Sequence, residues 1–356
     1  MFMTIASKVY HYWININKNK HFKNELSHLK KNSCNKIIPL PKEYRDEIIN
    51  YYSALGYKKI DLGWHQYIFS QTGKMDVRFI PENLYHIIIE PQYTRTRTEW
   101  EDKAYMEKFL PGVKFPDTIV RNVNGYFIDN QDKIITIDQA IDAMEQNDSM
   151  IIKPTIETGS GRGVELIFGN QNKDDILKKY NKNYIVQKQL KQSKKYAQFN
   201  ESSVNTEKII SFLFKGEVYI LTSMLRVGAE GSITDTASTG EGYTVGINED
   251  GRLNEVGYSI FGKKLVTTSK GVAFSSIVLD QHLRIVETIK DAHKKLLYFG
   301  IISWDFAVDE NEEIILIEYN LNYPDVLIYQ MNNGALFGDM TDTVLKECKR
   351  MFPSTI

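Results

Sequence analysis

The stretch Ile301-Ile302-Ser303-Trp304-Asp305-Phe306-Ala307-Val308-Asp309, a polar step through Glu310-Asn311-Glu312, and then Glu313-Ile314-Ile315-Leu316-Ile317-Glu318-Tyr319-Asn320 decides how this chain is read. Two apolar runs separated by a short polar segment predict a β-hairpin. With the loop set at Glu310 to Glu313, Asp305 falls directly opposite Glu318. Side chains alternate along a strand, so Asn320 shares the face of Glu318. Opposed residues hold their Cβ atoms about 5 Å apart, so the two carboxylates repel unless a cation lies between them. Mg2+ prefers oxygen ligands and is commonly held by one or two carboxylates plus substrate phosphates, which makes Asp305, Glu318 and Asn320 candidate metal ligands. A solvent-facing strand side is the plainer reading, and the apolar flanks of both acids argue against it.

Upstream, Met150-Ile151-Ile152-Lys153-Pro154 ends an apolar strand on a lysine whose ammonium needs an anion if it is buried. Thr158-Gly159-Ser160-Gly161-Arg162-Gly163-Val164 follows at once. Such a glycine-rich turn lets backbone N–H groups approach phosphate oxygens, although an ordinary hairpin turn would use the same residues. It is not the dinucleotide fingerprint, because Gly163 comes one residue early. Gly257 to Gly262-Lys263-Lys264 imitates a phosphate-binding P-loop but lacks the Ser or Thr that would follow the lysine, and is rejected. Tyr184-Ile185-Val186-Gln187-Lys188-Gln189-Leu190 reads as a strand leaving the same lobe, whose exit could pair with an adenine edge or be a plain sheet edge. Lys208 and Arg226 add cations on the carboxylate side, or ordinary salt-bridge partners.

At 356 residues the chain exceeds one hydrophobic core, so two or three lobes around a cleft are expected. Lysine plus arginine (44) balance aspartate plus glutamate (45), so no overall field draws the chain to nucleic acid or an anionic membrane. Two cysteines near opposite ends, the lack of an apolar leader and the lack of any long apolar run point to a cytoplasmic protein without a transmembrane segment. No Gly-x-Ser-x-Gly is present, and the seven histidines form no metal or triad pattern, which sets hydrolases aside.

Three regions are expected. Residues 1–98 form an N-terminal region with a helix near Glu43 to Leu55 stopped by Gly56. Residues 99–190 form a first lobe carrying the glycine-rich loop. Within it Thr98 to Glu101 predicts a capping box opening a helix to Leu110, and Thr136 to Gln139 a second before Ala140 to Gln146. Residues 191–356 form a C-terminal lobe with strands at Lys208 to Phe214 and Glu217 to Arg226, a helix near Leu279 to Leu297, and the carboxylate hairpin. The first lobe reads as α/β and the second as α+β.

Taken in order, Ile152-Lys153-Pro154, Gly159 to Gly163, Val186 to Gln189, Ser202-Ser203-Val204-Asn205-Thr206, Leu225-Arg226-Val227-Gly228, Trp304-Asp305 and Ile317-Glu318-Tyr319-Asn320 resemble the ATP-grasp superfamily, in particular its sugar-transfer-associated family. The resemblance runs from about Trp100 to Gln330. It implies two α+β lobes gripping ATP behind an N-terminal region. It also implies nucleotide contacts from Lys153, a phosphate cover from Gly159, Ser160, Gly161, Arg162 and Gly163, an adenine hinge at Gln187, Lys188, Gln189 and Leu190, and two Mg2+ ions at Asp305, Glu318 and Asn320. Arg226 would steady the transferred phosphoryl group. Lys208 stands where the family pattern has Arg, so a bidentate fork is replaced by a point charge at a candidate catalytic position. The implied activity is a carboxylate–amine or carboxylate–thiol ligase working through an acyl phosphate on a sugar acid or other small molecule in cell-surface polysaccharide synthesis. A kinase acting on a hydroxyl, or a nucleotide-binding partner of a glycosyltransferase without turnover, are the alternatives.

Overall fold

The computed structural model describes residues 5–94, 98–156, 161–234, 241–322 and 324–351. Gly159 and Ser160 of the expected phosphate loop lie outside these. Among the described residues, thirteen strands form two sheets in which every pairing is antiparallel. The first sheet holds β1 (Thr118–Val123), β2 (Tyr126–Asp129), β3 (Ile134–Ile135), β4 (Ser149–Pro154), β5 (Glu165–Phe168) and β6 (Tyr184–Lys188), in the order β3-β2-β1-β6-β4-β5. The second holds β7 (Thr206–Phe214), β8 (Glu217–Val227), β9 (Tyr243–Ile247), β10 (Leu253–Tyr258), β11 (Lys264–Leu265), β12 (Ile301–Val308) and β13 (Ile314–Asn320), in the order β11-β10-β9-β8-β7-β12-β13. Together with helices packed on both, this is a mixed α and β architecture of two antiparallel sheets, as the sequence suggested.

The first sheet is backed by the helices Ile137–Glu145 and Lys173–Tyr180, whose Ala140, Met144 and Leu177 meet Met150, Ile152 and Val186 in one core. The expected capping box is present: Thr136 accepts from Gln139 N at 3.2 Å, and Gln139 Oε1 accepts from Thr136 N at 2.9 Å. The second sheet is covered on one face by the helix His282–His293. Its other face meets the N-terminal helices Ile5–Asn32, Lys42–Ala54 and Leu62–Thr72. Ile48, Tyr52, Trp64 and Tyr85 share a core there with Phe212, Ile301, Tyr329 and Leu345. Each such aromatic or aliphatic side chain contributes roughly 2 kcal/mol through its burial. The N-terminal region is therefore part of the second sheet's core and not an appended arm. Hydrogen bonds reinforce this: Gln330 pairs through its amide with both Ile80 N (2.7 Å) and Ile80 O (2.9 Å), and Glu82 accepts from Leu327 N at the start of the helix Leu327–Asn333.

One expected helix is absent. Thr98–Glu101 forms a single 3-10 turn and Met106–Phe109 a separate one-turn helix. Asp102 Oδ1 accepts from Ala104 N at 2.9 Å, a local turn bond that competes with helix continuation. Glu101, read as a capping residue, instead accepts from Leu321 N at 2.6 Å and Asn322 Nδ2 at 2.9 Å. Tertiary partners at the end of β13 outcompeted the local pattern.

Candidate functional site: a lysine and carboxylate cleft between two sheets

The carboxylate hairpin forms, and its register is reached by a different route from the one the sequence suggested. Val308 pairs with Ile314, so the turn spans Asp309 to Glu313. Asp309 closes it, with its side chain accepting from Asn311 N (2.9 Å) and Glu313 N (2.8 Å), and Glu312 takes a positive φ of 60°. That register alone would set Asp305 against Ile317. A β-bulge between the pairs Phe306–Leu316 and Asp305–Glu318 inserts one extra residue, Ile317, and returns Glu318 to the position opposite Asp305. Asn320 then faces Ser303.

The two carboxylates, expected to face each other across a cation, meet ammonium groups of the chain itself. Each already has a lysine. Lys208, on β7 directly opposite Asp305, lies 2.5 and 2.7 Å from the two Asp305 oxygens. Lys103 lies 3.1 Å from Glu318. The chain carries Lys103 past the end of β4, where its backbone N donates to Thr155 O at 3.1 Å. Sequence reasoning missed Lys103, because its neighbourhood was read as a regular helix and no motif marks it.

Lys153 ends β4 beside this cluster and is only 8% exposed. Burial, assisted by the Lys103 charge and opposed by that of Glu318, pushes its ammonium down to about 8. Burial works against ionisation of Glu318 too. Lys103, Lys153 and Lys208 outweigh it and hold that carboxyl well below the usual range. Three lysines thus face two carboxylates, and the cleft floor carries net positive charge suited to a polyanion.

Above this floor lies a cleft of about 430 Å³ between the two sheets. Its walls combine apolar side chains, Ile151, Val164, Leu166 and Ile317, with the β6 exit from Gln187 to Leu190. The Gln187 side chain is buried and donates to Pro116 O at 3.2 Å, while Lys188 points outward to Asp117 at 3.1 Å. The backbone of Lys188 and Gln189 is tied to Asp117 O and Ser149 O. Gly161 and Arg162 line the cleft, and Gly161 and Gly163 take positive φ of 67° and 73° in a turn closed by Val164 N donating to Gly161 O at 3.2 Å. Ser202, Ser203, Val204 and Thr206 line another side, held by Gln192, which bonds Asn200 O, Ser203 O and Asn205 N. The structure therefore gathers Lys153, Gly161, Arg162, Gln187 to Leu190, Asp305 and Glu318 around one space. Arg226 stands on β8 across from Thr206, on the sheet face that carries Lys208, and is not among the described lining residues.

Among the described residues no group of three or more His, Cys, Asp or Glu is placed to hold a metal. Asp305 and Glu318, with Asn320 beside them, still suit Mg2+, which would complete its shell from phosphate and water oxygens. No helix among the described residues is long and apolar enough to cross a membrane.

A search among curated proteins finds no match. Among solved structures, the chain is similar to N5-carboxyaminoimidazole synthetase from Staphylococcus aureus complexed with ADP (10% identity, TM-score 0.42, covering 68% of this chain and 52% of that one). It is also similar to L-amino acid ligase from Bacillus licheniformis (11%, TM-score 0.42, 87% and 62%) and to VanG D-Ala:D-Ser ligase from Enterococcus faecalis (13%, TM-score 0.42, 71% and 61%). The chain spans about half the length of the first of these. The family model for sugar-transfer associated ATP-grasp proteins matches residues 176–344, which include the β6 exit, Lys208, Arg226 and both strands of the carboxylate hairpin. Over those residues, just under half of the chain, the sequence is similar to the sugar-transfer associated ATP-grasp family.

Proposed function

We propose that this protein is a Mg-ATP-dependent ligase that activates a carboxylate as an acyl phosphate. One observation carries the reading: Lys103, Lys153 and Lys208 converge on Asp305 and Glu318 at the floor of an apolar-walled cleft, beside a glycine turn. In the proposed roles, the apolar walls and the exit of β6 take the adenine. Lys103 and Lys153 take the phosphates, with Gly159 to Gly163 covering them. Asp305, Glu318 and Asn320 hold Mg2+, one ion or two, which would neutralise charge on the phosphoryl oxygens. Arg226 and Lys208 orient the acceptor and the transferring group. The chain's contribution is alignment and electrostatic stabilisation, which are the main demands of phosphoryl transfer. An acceptor carboxylate oxygen attacks the γ-phosphorus, ADP leaves, and an amine or thiol then displaces phosphate from the acyl carbon. The link to a sugar acid and to cell-surface polysaccharide rests on the matched family's description. A cytoplasmic setting accords with that chemistry. The glycosyltransferase-partner alternative would leave the lysine and carboxylate cluster without a task.

The test uses labelled ATP, a metabolite extract and hydroxylamine in place of the amine. A ligase gives ADP and a hydroxamate, because hydroxylamine intercepts acyl phosphates. ADP with a stable phosphate ester and no hydroxamate would identify a kinase instead. AMP with pyrophosphate would refute transfer of the γ-phosphoryl group.

A further inference from the structure

Lys208 reaches both oxygens of Asp305, at 2.5 and 2.7 Å, so its ammonium occupies the position from which a cation would chelate that carboxylate. Both partners are shielded, with side chains 13% and 7% exposed. Lys103 lies 3.1 Å from one oxygen of Glu318, whose side chain is more open. A compact ammonium on a flexible stem can take such a place, whereas the planar fork of an arginine is larger and more rigid. Asp305 is therefore closed to a divalent ion, and Glu318 is screened on one oxygen. An ion arriving alone would have to displace the lysines and then lie beside three ammonium groups, with Lys153 the third. A triphosphate changes this balance: its oxygens offer the lysines stronger anionic partners, and each lysine that turns to phosphate releases a carboxylate.

We infer that the Asp305–Glu318 metal site is gated by nucleotide, with Lys208 acting as a built-in cation that holds Asp305 closed until phosphate draws it away. This rests on the reading of the cleft as a Mg-ATP site and adds an order of binding: nucleotide opens the carboxylates, and metal bound to the protein alone is disfavoured. It also gives a reason for a lysine at 208, since a group that must leave its carboxylate in each cycle is better as a mobile point charge than as a bidentate clamp.

The experiment titrates Mn2+ into the full chain and follows water-proton relaxation enhancement, which registers metal held by a slowly tumbling macromolecule. Non-hydrolysable AMP-PNP is present or absent. Wild type is expected to bind Mn2+ at least tenfold more weakly without AMP-PNP than with it. Lys208→Met is expected to bind Mn2+ without nucleotide at least tenfold more tightly than wild type, and Asp305→Asn in the same chain should abolish that gain. Equal Mn2+ affinity of wild type with and without AMP-PNP overturns the gate and leaves the ligase reading standing. A folded Lys208→Met variant that gains nothing also overturns it. If that variant does not fold, the wild-type comparison decides alone. Failure of AMP-PNP to displace a fluorescent ATP analogue, or of the analogue to bind at all, would overturn both the gate and the reading beneath it.

Discussion

Replacing Lys153 by Met should stabilise the protein at neutral pH while removing nucleotide binding. The side chain is 8% exposed at the end of β4, and burial lowers its ammonium from 10.5 to about 8. A cation whose folded pKa lies below its unfolded one costs stability at every pH under the folded value. The cost fades as pH rises from about 8 towards 10.5 and is gone above that. At 1.36 kcal/mol for each tenfold change in the proton equilibrium, the full cost at pH 7 is about 3 kcal/mol. Methionine keeps the length and apolar stem without the charge. Glu318 loses one of its three lysine neighbours in exchange, so the expected gain is about 2 kcal/mol. Thermal or urea unfolding of the two chains at pH 7 and at pH 10.5 measures it, and the gap should close at the higher pH. Binding of a fluorescent ATP analogue, followed in parallel, should fall by a hundredfold or more. A destabilised Lys153→Met at pH 7, or a gain that does not change with pH, would refute the reasoning that Lys153 is held in an anion site at the expense of stability.

Three further outcomes follow from the same geometry. Glu318→Gln should lower Mg-dependent ADP release by at least a hundredfold yet leave binding of metal-free nucleotide intact, because Lys103 is released from its 3.1 Å partner; a variant with normal turnover would remove Glu318 from the metal site. Gly163→Ala, at φ 73° with the new Cβ 2.9 Å from Pro154 Cγ, should cost about 1–2 kcal/mol and raise the KM for ATP severalfold, and unchanged ATP kinetics would make the loop a structural turn only. Burial opposes the charge of His86, but its bonds to Glu82 (3.1 Å) and Glu90 (2.9 Å) prevail and raise it to about 10. Its stabilising contribution is thus complete below about pH 6.5 and is lost as pH climbs through 10. Melting curves of wild type across pH 6 to 10 should show this decline and those of His86→Gln should not.

Much of the site was legible because its residues are local in sequence. The spacing of Asp305, Glu318 and Asn320 on two apolar strands, Lys153 at a strand end before a glycine turn, and the Gln187 to Leu190 exit all follow from period-two alternation and from residue types that are costly to bury without a partner. The capping box at Thr136 was equally plain, because both of its hydrogen bonds lie within four residues.

What only the tertiary structure decided are the contacts between distant segments. The bulge at Ile317 brings Glu318 opposite Asp305 although the turn is one residue longer than the alternation suggested, and a one-residue slip is invisible in a pattern that is apolar on both faces. Lys208 finds Asp305 across 97 positions because β7 lies between β8 and β12. Lys103 reaches Glu318 only because Glu101 leaves its helix pattern for Leu321 and Asn322. Residues 57–94, which carried no clear signal, become helices wedged against the second sheet, since burial against Phe212, Ile301 and Tyr329 outweighs weak local propensity. The sequence by itself determined which chemistry could be assembled; long-range packing decided that its own lysines, placed from three separate segments, hold the carboxylates.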